Sequence, residues 1–148
     1  MRNMLKYSLP ALVLCACLPA AAFAQPSIHV HVTGGWIRLL PGDLPLAGYF
    51  TLRNDGAQAV KLVGASGPAF TRIELHHSMS MHGMDKMVPV PDVVVPAGKT
   101  FAFAPGGYHL MLWRSGTLHV GEKLPITLKF ADGRKIQATF VVKSAADD

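Results

Sequence analysis

Cysteine is nearly absent from this chain. Its 148 residues include two, Cys15 and Cys17, too few for a disulfide-dense scaffold or a Cys₄ zinc site. Charge is sparse too: 16% of the residues are Asp, Glu, Lys or Arg, against 50% hydrophobic. That balance excludes a disordered chain and a coiled coil. Nothing repeats at a solenoid period. The basic residues are dispersed and form neither a nucleic-acid patch nor a polybasic membrane segment. Beyond residue 24, no segment longer than ten residues keeps a helical stripe free of Pro and Gly. The length suits a single domain.

Acidic residues are missing from the first 24 positions, which carry Arg2 and Lys6. The run Leu9–Ala16 is apolar, and Ala22, Phe23 and Ala24 precede Gln25. A basic start, a short apolar run and an A-x-A site predict a secretory signal peptide over 1–24, with one domain over 25–148. The apolar run is short for a membrane span, so no membrane insertion is expected after cleavage. Leu14 and Ala16 before Cys17 also fit a lipoprotein signal. Cleavage after Ala24 leaves 12 Lys and Arg against 9 Asp and Glu, a net charge of +3, and removes both cysteines. Such a protein is stabilised by core burial alone in a compartment that permits disulfides.

Short strands are present in number. Residues alternate with period two over Ile28–Val32, Leu46–Asn54, Ala59–Ala65, Ile126–Phe130 and Ile136–Val142. Turn residues separate these runs at Asn54–Gly56, Ser66–Pro68, Pro96–Gly98, Pro105–Gly107 and Asp132–Gly133. Asp132–Gly133 between two alternating runs is the strongest hairpin signal. The pattern predicts an all-β antiparallel sandwich with Greek-key connections, about seven or eight strands, with a barrel as the alternative.

The chemistry lies between His76 and Met111. All five methionines beyond residue 24 fall there, as do four of the seven histidines. Met79, Met81, Met84 and Met87 alternate with Ser, His, Gly, Asp and Lys in a segment that reads as a polar loop. One methionine is ordinary core filler, but this set with its histidines points to a soft metal site. Thioether sulfur and imidazole together favour Cu(I) over Mg²⁺, Ca²⁺ or Mn²⁺, and zinc draws thiolate, imidazole or carboxylate instead. His109 and Met111 stand at i and i+2, so on a strand they share a face, with Leu110 and Leu112 turned to the core. They are expected to point outward, joined by His76 and Met87 from the edge of the loop.

The spacing His76-x₁₀-Met87-x₂₁-His109-x-Met111 resembles the signature of the PCuAC-type periplasmic copper chaperones. The runs Ala47–Gly56, Glu74–His76, Val95–Gly98 and Pro105–Leu112 resemble that family as well, and the likeness extends from about Ile28 to Val142. The resemblance implies a cupredoxin-like Greek-key β-sandwich in the periplasm. It implies one Cu(I) held by His76, Met87, His109 and Met111, and handed to the copper-bearing subunit of a cytochrome oxidase or to other copper-assembly proteins. A monomer without catalytic activity is the expectation. This loop is richer than the common pattern: His77, Met79, Met81, His82 and Met84 are further candidate ligands, for the same ion or for a second Cu(I) or Cu(II). The His/Met-rich tail of some members is absent after Lys143.

Other features carry less. His29 and His31 share a strand face and are either solvent-facing or a Cu(II) site. His119 reads as a surface residue. Trp36 and Trp113 read as packing, and Trp113 has the parity to flank His109 and Met111. An electron-transfer blue-copper site needs a thiolate, which the processed chain lacks. No hydrolase triad, H-E-x-x-H or phosphate loop appears. The alternatives to a Cu(I) carrier are a copper-buffering or tolerance protein, and a metal-free sandwich that docks a partner through its methionines.

Overall fold

The computed structural model describes residues 29–146. They form ten strands: β1 Val30–Leu39, β2 Leu46–Asn54, β3 Val60–Ser66, β4 Phe70–Met81, β5 Met84–Pro89, β6 Val93–Val95, β7 Thr100–Phe103, β8 Tyr108–Arg114, β9 Lys123–Phe130 and β10 Lys135–Ser144. The protein is all-β, and ten strands replace the seven or eight expected. The extra ones are short edge pieces or belong to the methionine-rich segment, where burial is slight and period-two patterning is weak. The expected signal segment lies outside the described residues.

One hydrogen-bonded path runs β5-β4-β8-β2-β1-β10-β9-β3-β6, with β7 paired to β2. Its two ends are different strands, so the sheet is open and the barrel alternative does not hold. The path folds over as a cupredoxin-like sandwich around Leu46, Leu52, Leu62, Leu110, Leu112, Ile126, Leu128 and Phe140, all 0–1% exposed. Each such side chain contributes about 1.5–3 kcal/mol through burial.

Alternation decides which residues reach that core. In β2 the even positions Leu46, Phe50 and Leu52 enter it, so Ala47, Tyr49 and Thr51 face the other way. In β1 the rule changes partway. Val30 is buried early in the strand and Ile37 late, a switch from even to odd. A register shift between Thr33 and Trp36 causes it, with Gly34 at φ 64°. The extra residue flips the alternation and places Trp36 beside Tyr49 on the outer face, their rings 4.6 Å apart. Neighbouring Gly35 admits close packing, because a Cβ there would lie 2.9 Å from the Thr139 carbonyl oxygen.

The turn at Asp132–Gly133 joins β9 to β10 as expected. Gly133 adopts φ 86°, its N–H donates to the Phe130 carbonyl, and the Phe130 N–H donates to the Arg134 carbonyl. The methionine-rich segment is a correction. It is not a loop: β4 and β5 form an antiparallel hairpin that pairs Ser78 with Met87, Met79 with Lys86 and Met81 with Met84. His82 and Gly83 turn it, with φ 54° and 76°. Two positive φ values in a two-residue connection make the type I′ geometry that suits a twisted hairpin, and histidine tolerates that region better than most residues.

Candidate metal centre

β8 lies between β2 and β4 and brings the sequence-predicted residues onto one face. His76 of β4 stands opposite His109 of β8, and Glu74 stands opposite Met111. On the other side Met111 is paired with Ala47. Directly opposed residues share a face, so Glu74, His76, His109 and Met111 all lie on the side away from Leu110 and Leu112. Met87 reaches the same face through its pairing with Ser78, two residues beyond His76. The four residues of the spacing signature therefore converge on one patch of sheet, drawn from three strands.

The expectation that His109 points outward needs a correction. It does face away from the core, but it is 3% exposed, and His76 is 7% exposed. A second layer of rings covers them. The His76 and His109 ring centroids are 5.9 Å apart, Tyr49 lies 6.3 Å from His109, and Trp113 lies 6.4 Å from His76 in an edge-on contact. Trp113 is capped by the Arg72 guanidinium, 3.6 Å from the ring centroid. Met111 is half-buried and Met87 is exposed, so the patch opens at the β5 edge. A groove of about 430 Å³ lies there, bordered by Arg38, Tyr49, Met79, Asp85, Lys86 and Met87.

Each imidazole has one nitrogen occupied and one left over. His76 Nε2 donates to Glu74 Oε2 at 3.0 Å. Its Nδ1 is buried without a hydrogen-bond partner. His109 Nδ1 donates to the Gly107 carbonyl at 3.2 Å, which leaves the Nε2 lone pair uncommitted. A carboxylate or carbonyl on the far nitrogen is how proteins orient a metal-binding histidine and fix its tautomer. An orphaned buried nitrogen otherwise costs about 1–3 kcal/mol. Burial holds the His109 imidazolium below its ordinary value of 6.5; the Gly107 carbonyl opposes this and the nearby charges of His76 and His77 add to it. His109 is thus a neutral imidazole at neutral pH.

Two imidazoles and two thioethers fit a soft monovalent ion and suit no hard cation. Among the described residues, no three His, Cys, Asp or Glu side chains cluster as a metal group, so any centre here depends on sulfur from methionine.

The further candidates are placed elsewhere. Met79, Met81 and Met84 fall on the opposite face of the hairpin from Met87 by strand alternation. His77 also lies on that side, its ring stacked on Tyr108 at 4.0 Å, and His82 occupies the turn. Near the amino end, His29 and His31 are exposed, and His31 Nε2 lies 3.5 Å from Asp55 Oδ2. His119 is an exposed loop residue, as expected. Sequence reasoning gave Glu74 no role, although its i−2 position before His76 carried the signal.

Residues 30–142 match the family model described as "Putative lipoprotein LpqE-like". The chain belongs to the LpqE-like family. A Leifsonia xyli relative of this LpqE-like chain, "Putative lipoprotein Lxx21020", is 31% identical over 130 residues, covering 85% of this chain and 78% of that protein. The Rickettsia prowazekii protein RP573 is 34% identical over 102 residues, which span 68% of this chain and 55% of that one. Among solved structures, Cu(I)-bound DR1885 from Deinococcus radiodurans is 35% identical, with a TM-score of 0.62 over 84% of this chain and 83% of that one. The copper-bound PCuAC domain of PmoF2 shares the fold, with a TM-score of 0.65 at 20% identity over 78% of this chain and 93% of that one. This LpqE-like protein has the PCuAC fold, in agreement with the family likeness of its spacing signature.

Proposed function

We propose that this protein is an exported Cu(I) carrier. It binds one Cu(I) tightly through His76, Met87, His109 and Met111 and passes it to an acceptor. The observation that carries this reading is the unpartnered Nδ1 of His76, buried on the same sheet face as a neutral His109 and two thioethers. The Cu(I)-bound relative DR1885, at 35% identity, supports the choice of metal. Copper here is cargo. Neutral donors hold it without a thiolate, and the exposed Met87 at the open edge is the natural first ligand to exchange. An acceptor offering stronger soft donors draws the ion on. We assign the copper-bearing subunit of a respiratory oxidase as the recipient, following the family likeness.

Export follows from the signal-like segment 1–24. The lipoprotein names of its relatives also favour lipidation at Cys17, in which case the carrier is tethered. No helix among the described residues is long and apolar enough to cross a membrane. Residues 25–148 then form the carrier domain.

The test is an anaerobic Cu(I) titration of the exported protein against a chromogenic Cu(I) chelator, beside Met87→Ala and His109→Ala. One tight equivalent, weakened at least tenfold in both variants, is expected. A folded wild type that does not compete for Cu(I) rejects the carrier reading.

A further inference from the structure

The four-residue centre leaves three methionines unused, and their placement is not that of core filler. Met79, Met81 and Met84 are 37%, 50% and 73% exposed. From Ser78 to Met87 every apolar residue is a methionine. Exposed methionines also serve adaptable docking surfaces, but here every apolar side chain carries a soft donor for a monovalent ion. The hairpin gathers these sulfurs. Its tight His82–Gly83 turn makes Met81 and Met84 direct cross-strand neighbours, which sets their Cβ atoms about 4.5–5.5 Å apart. Met79 stands two residues before Met81 and so shares its face.

We infer that Met79, Met81 and Met84 form a second, weaker Cu(I) site, a three-thioether cup at the tip of the β4–β5 hairpin. It lies on the opposite strand face from Met87, yet Met79 and Met87 border the same groove. An ion caught at the tip therefore has a short route to the four-residue centre. The site is weak for stated reasons. Its three donors are neutral thioethers, and the His77 ring on the same face is stacked on Tyr108. Lys86, paired with Met79, also sets a like charge beside the cation. Weak, exposed binding suits capture and release. The cup rests on its own thioethers and holds even if the four-residue reading fails.

The experiment uses the exported protein, in which Cys15 and Cys17 are removed or lipid-capped. With ¹³C-methyl-methionine its five methionines give five signals. Cu(I) is added anaerobically to two equivalents. The expected result has Met87 and Met111 shifting with the first equivalent, and Met79, Met81 and Met84 shifting together with the second, at least tenfold weaker. The triple variant Met79→Leu/Met81→Leu/Met84→Leu loses the second phase and keeps the first; the single variant Met84→Leu weakens it if the triple fails to fold. Tip methyls that stay unmoved through two equivalents, or a second phase that survives the triple variant, overturn the proposal. Tip shifts without Met87 and Met111 shifts overturn the four-residue centre and leave the tip site standing.

Discussion

Glu74 and His76 stand two residues apart on β4, and the carboxylate oxygen Oε2 accepts a hydrogen bond from the imidazole Nε2 at 3.0 Å. The bond leaves Nδ1 as the nitrogen with a lone pair, buried where no hydrogen-bond partner meets it. Glu74 also lies 3.5 Å from Arg72 Nε, whose guanidinium covers Trp113. One carboxylate thus ties the ring orientation of a proposed ligand to the aromatic lid beside it.

Removing that carboxylate is expected to loosen the centre without removing a ligand. Glu74→Ala frees the His76 ring and its tautomer, and Cu(I) affinity should fall about 10–100-fold, the usual effect of losing a partner behind a metal-binding histidine. Glu74→Gln keeps an amide oxygen that accepts from Nε2 and should fall far less. Chelator competition on both variants measures the difference, and equal losses would show that Glu74 acts through its charge instead.

The depressed His109 makes apo stability pH-dependent. Burial lowers its folded value from the ordinary 6.5, so in the window just below 6.5 the unfolded chain binds more protons than the folded one. Stability therefore rises with pH across that window. It is fully present above 6.5, and is lost as pH falls from there through the lowered folded value. Urea unfolding of the apo protein at a series of pH values should show this slope. His109→Gln, which cannot titrate, should flatten it.

Asn54 offers a control that separates fold from site. It is 1% exposed and fully engaged: Nδ2 donates to the Gln58 carbonyl at 2.8 Å and the Val95 carbonyl at 3.0 Å, and Oδ1 accepts from the Gly56 N–H at 3.0 Å. Asn54→Ala strands these groups and should cost about 2–3 kcal/mol of folding stability. Cu(I) affinity of the folded fraction should stay unchanged. Denaturant unfolding and Cu(I) competition on one preparation test both halves.

Much of the fold was legible because burial on one face writes period-two alternation into a strand. Leu46–Asn54 could be bounded from the residues alone, and the Asp132–Gly133 turn announced its hairpin. The methionine-rich hairpin was not legible. It projects beyond the core, so no buried face imposes a pattern on it, and its turn is His-Gly in place of the usual Asn-Gly. The burial of His109 was hidden for another reason. Its cover comes from Tyr49 on β2 and His76 on β4, brought in by long-range pairing. Trp36 joins that layer only because the bulge near Gly34 flips β1. Spacing could nominate His76, Met87, His109 and Met111; only the strand register sets them on one face.

Methionine oxidation provides a last, independent reading of which sulfurs hold the ion. A thioether turned to sulfoxide is no longer a soft donor, and its rate of oxidation follows exposure and lone-pair availability. In the apo protein peroxide should oxidise Met84, 73% exposed, ahead of Met87, 58% exposed, with half-buried Met111 slowest. Ag(I) has the same soft monovalent character as Cu(I) and does not redox-cycle with peroxide. One equivalent should slow Met87 and Met111 sharply while Met84 oxidises as before, because the tighter four-residue centre fills first. Peptide mass spectrometry over a time course follows each sulfur separately. If Met87 oxidises at its apo rate with one equivalent bound, its sulfur is not a ligand, and the centre must be rebuilt around His76, His109 and Met111.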